Sequence, residues 1–221
     1  MRSLVKPKAV LFDWDNTLVD TWPVIHKALN MTMRFMEHEE WSLDYVKATV
    51  KKSMRDSFPE LFGDRWQIAA DKYQESYRSI HLQELGVLPG SEEVLKLLKT
   101  TGWFIGIVSN KKGPSLRREL EHLGWGHYFN VAVGAEDAAQ DKPYAAPVLH
   151  ALKDTTLTTD AHVWFVGDTG VDLECAQITR CTPILYGDVV IENGKYDGFP
   201  FDAHVRNHVE LLELVKKFSG N

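Results

Sequence analysis

The stretch "VLFDWDNTLVD", residues 10–20, places a short apolar run directly before two carboxylates, Asp13 and Asp15. The apolar residues are typical of a buried β-strand. Side chains alternate between the two faces of a strand, so both acids point to the same side if the extended geometry continues through them. Two like charges on one face repel, and the pattern therefore predicts a cation, a shared proton or open water beside them.

The rest of the chain alternates β-rich runs with helical patterns. The runs are "WFIGIVS" (103–109), "FNVAVG" (129–134), "HVWFVGD" (162–168) and "TPILYG" (182–187). Helical spacing is found at 91–99, 115–123, 145–153 and 170–178. This alternation predicts an α/β fold with a Rossmann-like parallel sheet covered by helices on both faces. Ligands of such sheets bind at the carboxyl ends of the strands.

One interval breaks the alternation, between the first strand and "WFIGIVS". It carries helical patterns at 22–38, 42–56 and 64–85, and a crossover between parallel strands needs far fewer residues. We therefore expect an α-helical domain, residues 19–86, inserted into a core formed by residues 1–18 and 87–221. Because its two connections lie beside the acids, we expect it to close over them, and we expect most of its many aromatic residues to form its own core.

Composition excludes several classes of protein. The chain has 221 residues, a hydrophobic share of 44% and a formal charge of −6. An acidic chain is a poor partner for nucleic acid, and no apolar run approaches the roughly 18 residues of a membrane span. The first residues do not resemble a signal peptide. Cys175 and Cys181 lack metal-site spacing, so we expect free thiols and a cytoplasmic protein.

Polar residues follow four of the predicted strands. They are Asp13, Asp15 and Thr17, then Ser109 and Asn110, then Lys142, and finally Asp168 and Asp172. Because parallel strands end at the same edge, we expect these groups to converge. Clustered carboxylates suit Mg²⁺, while hydroxyls and a lysine suit a phosphate.

Each group also has a structural interpretation. Asp13 and Asp15 are compatible with a solvated loop, and Lys142 with an exposed surface. Ser109 and Asn110 are suited to cap the next helix. Thr169 and Asp172 have the spacing of a capping box, which is compatible with a catalytic role as well. The order of all these groups along the chain favours a common site.

The motifs resemble those of the haloacid dehalogenase-like superfamily, in its phosphoglycolate phosphatase-like branch. "FDWDNTLVDT" is similar to its first motif, D-x-D-x-T, and "IVSN" to its second. Lys142 in "DKP" and the stretch "GDTGVD" (167–172) are similar to the third and fourth. The resemblance covers essentially the whole chain, since the helical insert lies where this branch carries its cap.

The resemblance implies a Mg²⁺-dependent phosphatase acting on a small phosphomonoester. Asp13 would attack phosphorus and form an aspartyl-phosphate, while Asp15 would protonate the leaving oxygen and then activate water. Asp13, the main-chain carbonyl of Asp15 and Asp168 would hold the ion.

The remaining motif residues would act around these groups. Asp172 would orient Lys142 or a water on the metal. Thr17, Ser109, Asn110 and Lys142 would bind the transferring phosphoryl oxygens. The acid at position 15 favours phosphate-ester cleavage over the dehalogenase chemistry found in the same superfamily.

Three other functions stay open at this point. A phosphomutase of the β-phosphoglucomutase type shares all four motifs, but would release isomerised sugar phosphate in place of free phosphate. A catalytically idle binding protein would have lost the nucleophile or a metal acid, and neither is lost. A nucleotide-binding domain would carry a glycine-rich fingerprint after the first strand, which is absent from the sequence.

Substrate choice is assigned to the insert, because the motifs bind only the phosphoryl group. "KKSMRDSFPELFG" (51–63) begins with basic residues where the resembling family places its specificity segment. Lys51 and Arg55 share a helical face at i and i+4, and Lys52 lies three residues before Arg55. We expect these residues to receive a second anionic group of the substrate, or else to form a solvated basic face. The sequence leaves the physiological substrate open, along with a monomeric or homodimeric state.

Overall fold

The computed structural model describes residues 3–50 and 54–220, and the chain forms two compact units. One unit contains the chain up to Val19 and again from Val87, and the other contains Asp20–Gly86. The boundaries predicted from the sequence differ from these only in the placing of Val19. The roles of catalytic core and cap stay predictions.

The first unit is built on a parallel sheet. Its strands are β1 (Ala9–Phe12), β4 (Phe104–Lys112), β5 (Val131–Ala135), β6 (Val163–Gly167), β7 (Thr182–Tyr186) and β10 (Ala203–Val205). They lie in the order β10-β7-β6-β1-β4-β5, and each neighbouring pair is parallel. A short ribbon of this unit pairs β8 (Lys195–Tyr196) with β9 (Phe199–Pro200), and another, at the boundaries of the two units, pairs β2 (Val19–Asp20) with β3 (Gly86–Val87).

Within its described residues, this unit has five helices. They are α5 (Ser91–Thr101), α6 (Gly113–Leu123), α7 (Ala146–Leu152), α8 (Gly170–Ile178) and α9 (His208–Ser219). A 3₁₀ turn at Trp125–Tyr128 follows α6. The α/β fold with a parallel sheet is thereby confirmed.

Strand β1 is the centre of the sheet because all four of its residues are apolar and buried. Phe12, its last residue, lies opposite Ile107 of β4 and Val166 of β6. The carboxyl ends of these three strands are therefore side by side. The loop that begins at Asp13 leaves the sheet at this edge, next to the residues that follow β6.

Strand β10 and helix α9 of the first unit were not among the sequence predictions. Strand β10 is only three residues long, too short for a periodic signal, and exists because it pairs with β7. Helix α9 has a clear apolar stripe, and Asn207 caps it by accepting a hydrogen bond from the main-chain N–H of Glu210 at 3.0 Å. The helical spacing of its apolar residues could have been recognised in the sequence.

The second unit is helical. Its helices are α1 (Trp22–Phe35), α2 (Leu43–Thr49), α3 (Met54–Phe62) and α4 (Trp66–Glu84), with a 3₁₀ turn at Gly63–Arg65. The single helix predicted over 42–56 is wrong, because α2 ends where Val50 turns to a ψ of 88°. The unit has its own apolar core, which includes Met33, Phe58 and Phe62. The aromatic residues of this core fulfil the structural role predicted for them.

Two expectations about the whole chain concern membranes and thiols. Within residues 3–50 and 54–220, no helix combines the length and apolar character needed to cross a bilayer. Cys175 and Cys181 are both free and both buried. Burial raises the pKa of the Cys175 thiol to about 12, which makes it a poor nucleophile.

Candidate active site

Asp13 is the first residue after β1, and its carboxylate is almost fully buried. Its Oδ1 accepts a hydrogen bond from Nζ of Lys142 at 2.6 Å, and the same ammonium donates to Oδ1 of Asp172 at 2.7 Å. Lys142 therefore connects Asp13, at the end of the central strand, with Asp172, which lies 30 positions after the lysine in the chain. The interpretation of Lys142 as a solvated surface residue is excluded, because its side chain is only 3% exposed.

Asp168 follows β6 and completes a carboxylate cluster. Oxygen atoms of Asp13, Asp168 and Asp172 all lie within 4.8 Å of one another. Thr17, in the loop after β1, donates its hydroxyl hydrogen to Oδ1 of Asp168 at 3.3 Å. Adjacent parallel strands thus bring the first and fourth motifs together.

The position of Asp172 is fixed by the start of α8. Its Oδ2 accepts hydrogen bonds from the main-chain N–H of Thr169 at 3.0 Å and from the Thr169 hydroxyl at 2.7 Å. The predicted capping box is confirmed. Since the other oxygen accepts from Lys142, this residue serves the helix and the cluster at once.

The cluster holds more negative than positive charge. The pKa of Asp13 is raised to about 6, mainly by burial; Lys142 opposes the rise, while Asp172 and Asp15 add to it. Burial, Asp13 and Asp172 raise the pKa of Asp168 well above its usual value. Burial alone would lower the pKa of Lys142, but Asp13 and Asp172 outweigh it, and the pKa lies above the ordinary value. A divalent cation fits this set of hard, crowded oxygens.

Ser109 and Asn110 lie in the irregular end of β4, where the register with β5 shifts after Val108. The Ser109 hydroxyl is buried and accepts a hydrogen bond from the main-chain N–H of Lys111 at 3.2 Å. Neither residue caps the next helix, since α6 begins at Gly113 after Lys112 without a side-chain cap. The capping alternative is therefore wrong.

The side chain of Asn110 is directed to the main chain of Lys142. It donates to the Lys142 carbonyl at 2.9 Å and accepts from the Lys142 N–H at 2.8 Å. The phosphate-binding role of Asn110 stays a prediction. What the contacts establish is that it anchors the residue that carries the buried ammonium.

Asp15 has a different partner. Strand β1 ends at Phe12, so the strict alternation used in the sequence argument stops before the acids. The Asp15 carboxylate accepts from Nζ of Lys111 at 2.6 Å, and Lys111 also donates to the buried Glu119 at 2.6 Å. Neither Lys111 nor Glu119 was predicted as a site residue. The signal available in the sequence was a lysine directly after "SN", with nothing to identify its partner.

The predicted substrate-binding residues of the insert are not placed by the structure. Lys51 and Lys52 lie outside the described residues. Arg55 belongs to α3 (Met54–Phe62), but its side chain is not among the parts that the structure describes.

The motifs agree with comparisons to known proteins. A family model described as "Haloacid dehalogenase-like hydrolase" matches residues 10–185, which is most of the chain. The matched region contains all four motifs, the whole of the second unit and most of the first.

Individual relatives are similar over nearly their whole length. A phosphoglycolate phosphatase of Cereibacter sphaeroides is 28% identical, covering 94% of this chain and 97% of that protein. A Clostridium perfringens protein provisionally called pyrophosphatase PpaX is 26% identical, covering 96% and 99%. Among solved structures, a haloacid dehalogenase-superfamily hydrolase from Ehrlichia chaffeensis is 28% identical with a TM-score of 0.67, covering 98% and 99%.

Proposed function

This chain belongs to the haloacid dehalogenase-like hydrolase family, and we propose that it is a phosphatase that releases inorganic phosphate from a small phosphomonoester. The observation that carries the proposal is Asp13. It is a buried carboxylate at the end of the central strand, 2.6 Å from a buried lysine and within 4.8 Å of Asp168. A carboxylate held in this way is suited to nucleophilic attack.

The proposed reaction has two steps on this chain's own residues. A carboxylate oxygen of Asp13 forms a bond to phosphorus, the bond from phosphorus to the leaving oxygen breaks, and Asp15 supplies that oxygen with a proton. Asp15 then accepts a proton from water as the water attacks the aspartyl-phosphate, which returns Asp13 and liberates phosphate.

Four residues are assigned to the transferring phosphoryl group. Lys142, through its buried ammonium, neutralises charge that develops on the phosphoryl oxygens. Thr17, in the loop after β1, and Ser109, in β4, offer hydroxyl donors, and Asn110 holds Lys142 by its main chain. The role of each in binding phosphate is part of the proposal.

Mg²⁺ is the proposed cofactor. Asp13, Asp168 and the main-chain carbonyl of Asp15 would hold it, while Asp172 would remain with Thr169 and Lys142. When bound, the ion would offset the repulsion between the attacking carboxylate and the anionic phosphate. The crowding of three acidic side chains, with raised pKa values at two of them, supports its presence.

We propose a substrate similar to phosphoglycolate, a phosphomonoester with a second anionic group. The name of the Cereibacter relative and the basic residues Lys52 and Arg55 support it. The Clostridium relative has a different name, so the substrate must be decided by experiment. We retain the prediction of a cytoplasmic enzyme, monomeric or homodimeric, whose partner is a small molecule.

The test is phosphate release over a panel of small phosphomonoesters, each with Mg²⁺ and with excess chelator. We expect turnover only with the metal, and none for Asp13→Asn. Release of isomerised sugar phosphate without free phosphate would identify a mutase. Full activity in chelator would contradict the metal assignment, and an active Asp13→Asn variant would contradict the nucleophile.

A further inference from the structure

Lys111 lies between two carboxylates in the first unit. Its Nζ is 2.6 Å from Oδ1 of Asp15 and 2.6 Å from Oε2 of Glu119. The Lys111 side chain is 5% exposed, and that of Glu119 is completely buried. Burial alone would lower the pKa of Lys111, but the two acids outweigh it and the pKa is above its usual value, so the ammonium is charged.

A second contact ties the same glutamate to the loop after β1. The indole N–H of Trp14 donates to Oε2 of Glu119 at 2.7 Å. Trp14 and Asp15 are neighbours in the chain, and both are thereby connected to one oxygen on α6. This arrangement fixes the loop at two consecutive residues, one directly and one through Lys111.

Stability alone is a poor explanation of this group. Removing charged side chains from water costs several kcal/mol per ion, and buried ion pairs are often no more stabilising than apolar residues of similar size. Asp15 has the most exposed side chain of the three, at 22%. The member of the group that solvent and substrate can reach best is therefore Asp15, the carboxylate to which the proposed reaction assigns proton transfer.

We propose that Lys111 is a positioning residue that aims the carboxylate of Asp15 at the leaving oxygen, and that buried Glu119 holds Lys111 in place. The contact uses Oδ1 of Asp15, so proton exchange falls to Oδ2, whose direction is set once Oδ1 is fixed. The inference rests on the proposed function, because it needs a leaving group that requires a proton. It adds Lys111 and Glu119 to the residues on which the reaction depends.

The main test compares two classes of substrate in the whole protein. Misplacement of a reacting group by about 1 Å costs about 100-fold, and general acid help is worth roughly 10²–10⁴-fold. We expect Lys111→Met to lose about 10- to 100-fold in kcat on an alkyl phosphate. On an aryl phosphate with an acidic phenol, which needs little protonation, the loss should be less than about 3-fold.

The adjacent lysine provides a matched control. Lys112 is 37% exposed at its side chain and pairs with Glu136 at 3.3 Å on the surface. Lys112→Met removes the same charge one residue away, and we expect it to leave both activities within about 2-fold, because surface ion pairs contribute little.

A double-mutant cycle separates positioning from a general structural effect. In an Asp15→Asn background, Lys111→Met should add less than about 2-fold on the alkyl substrate, because the group it aims is gone. Lys111→Arg retains the charge and is expected to recover most of the loss. Independent, multiplicative losses in the cycle would overturn the proposal.

A variant that lacks the charges of both Lys111 and Glu119 serves as the control for misfolding. Lys111→Met leaves Glu119 buried without this partner, so Lys111→Met/Glu119→Gln is measured beside it and should show the same dependence on the leaving group. Equal losses on both substrates in a folded variant would overturn the inference while leaving a working phosphatase. If the unmodified protein released no phosphate at all, the proposed function would fail first.

Discussion

Each of the two acids after β1 has its own buried lysine. Asp13 contacts Lys142 and Asp15 contacts Lys111, so the first motif is held from two different parts of the chain. Buried charges of this kind oppose folding unless they are well compensated. The excess of carboxylates around Asp13 therefore predicts that the residues needed for chemistry lower the stability of the protein.

Asp13→Asn should stabilise the chain while removing turnover. The pKa of Asp13 is raised to about 6, so between the usual value near 3.8 and 6 the folded state binds more protons than the unfolded state. Stability is thus lost as the pH rises through that window. At pH 7.5 in chelator, the variant should have a free energy of unfolding higher by on the order of 2 kcal/mol.

Denaturant unfolding with and without Mg²⁺ measures this effect. Asp154→Asn, at an exposed position, is the control and should differ little. The advantage of Asp13→Asn should shrink when Mg²⁺ is added, because the ion stabilises the unmodified protein more. A variant less stable than the unmodified protein in chelator would contradict the argument.

His208, the first residue of α9, gives a second pH dependence. Its Nδ1 shares a hydrogen bond of 2.9 Å with the Tyr186 hydroxyl, and burial lowers its pKa to about 4. Between pH 4 and the usual 6.5 the unfolded state binds more protons, so the stability supplied by this residue is present above 6.5 and lost as the pH falls.

Comparison of His208→Gln with the unmodified protein tests whether this contribution to stability is lost as the pH falls. Glutamine does not titrate, so the difference in free energy of unfolding should move in favour of the variant by on the order of 2–3 kcal/mol from pH 7.5 to 4.5. The exposed His122→Gln is the control. A difference that is independent of pH would show that His208 titrates normally.

Among secondary-structure elements, β5 approaches the start of α6 closely. A Cβ on Gly134 would lie 2.5 Å from Cα of Gly113 and 2.7 Å from the carbonyl oxygen of Lys111. Both of these atoms belong to the main chain, so side-chain rotation cannot relieve the overlap. Gly134 therefore allows β5 to approach the segment that carries Ser109, Asn110 and Lys111.

Gly134→Ala should damage both stability and activity. Overpacking of this kind typically costs about 1–3 kcal/mol in free energy of unfolding, and moving β5 also displaces Lys111. We expect a larger loss of kcat on alkyl than on aryl phosphates. Gly126→Ala is the control, because no described atom lies within 4 Å of the added Cβ. Unchanged stability of Gly134→Ala would mean that the two elements separate at no cost.

The same elements explain how far the sequence could predict the site. Strands β1, β4 and β6 were legible as apolar runs, and their parallel order brought Asp13 and Asp168 together as expected. The pairing of Lys111 with Asp15 was not legible, because it joins positions 96 residues apart and depends on the irregular end of β4. Glu119 has an ordinary helical position, and only burial shows that it is a partner.

At the level of the whole chain, each unit has its own apolar core. The partners of β1 all belong to the first unit, and the core around Met33 and Phe58 belongs entirely to the second. The helical insert was predictable because a crossover of that length is abnormal. The break between α2 and α3 was not, because helical periodicity continues through it.

Replacement of residues 20–86 by a short flexible linker should leave a folded first unit. The two ends are already close, since the N–H of Leu88 donates to the carbonyl of Leu18 at 3.3 Å. We expect a single cooperative thermal transition, measured by circular dichroism, and a loss of discrimination between acidic and neutral phosphomonoesters. The unmodified chain is the control, and an unfolded product would show that the first unit depends on the insert.

The central place of β1 also has a consequence for synthesis on the ribosome. This strand leaves the ribosome before its neighbours, residues 104–107 and 163–166, which are made much later. Pairing over such separations is slow, whereas the helices of the insert pack on segments that lie nearer in the chain. The nascent chain must therefore keep an apolar segment unpaired while the insert folds. Cellular yield then depends on how long that segment is protected from aggregation.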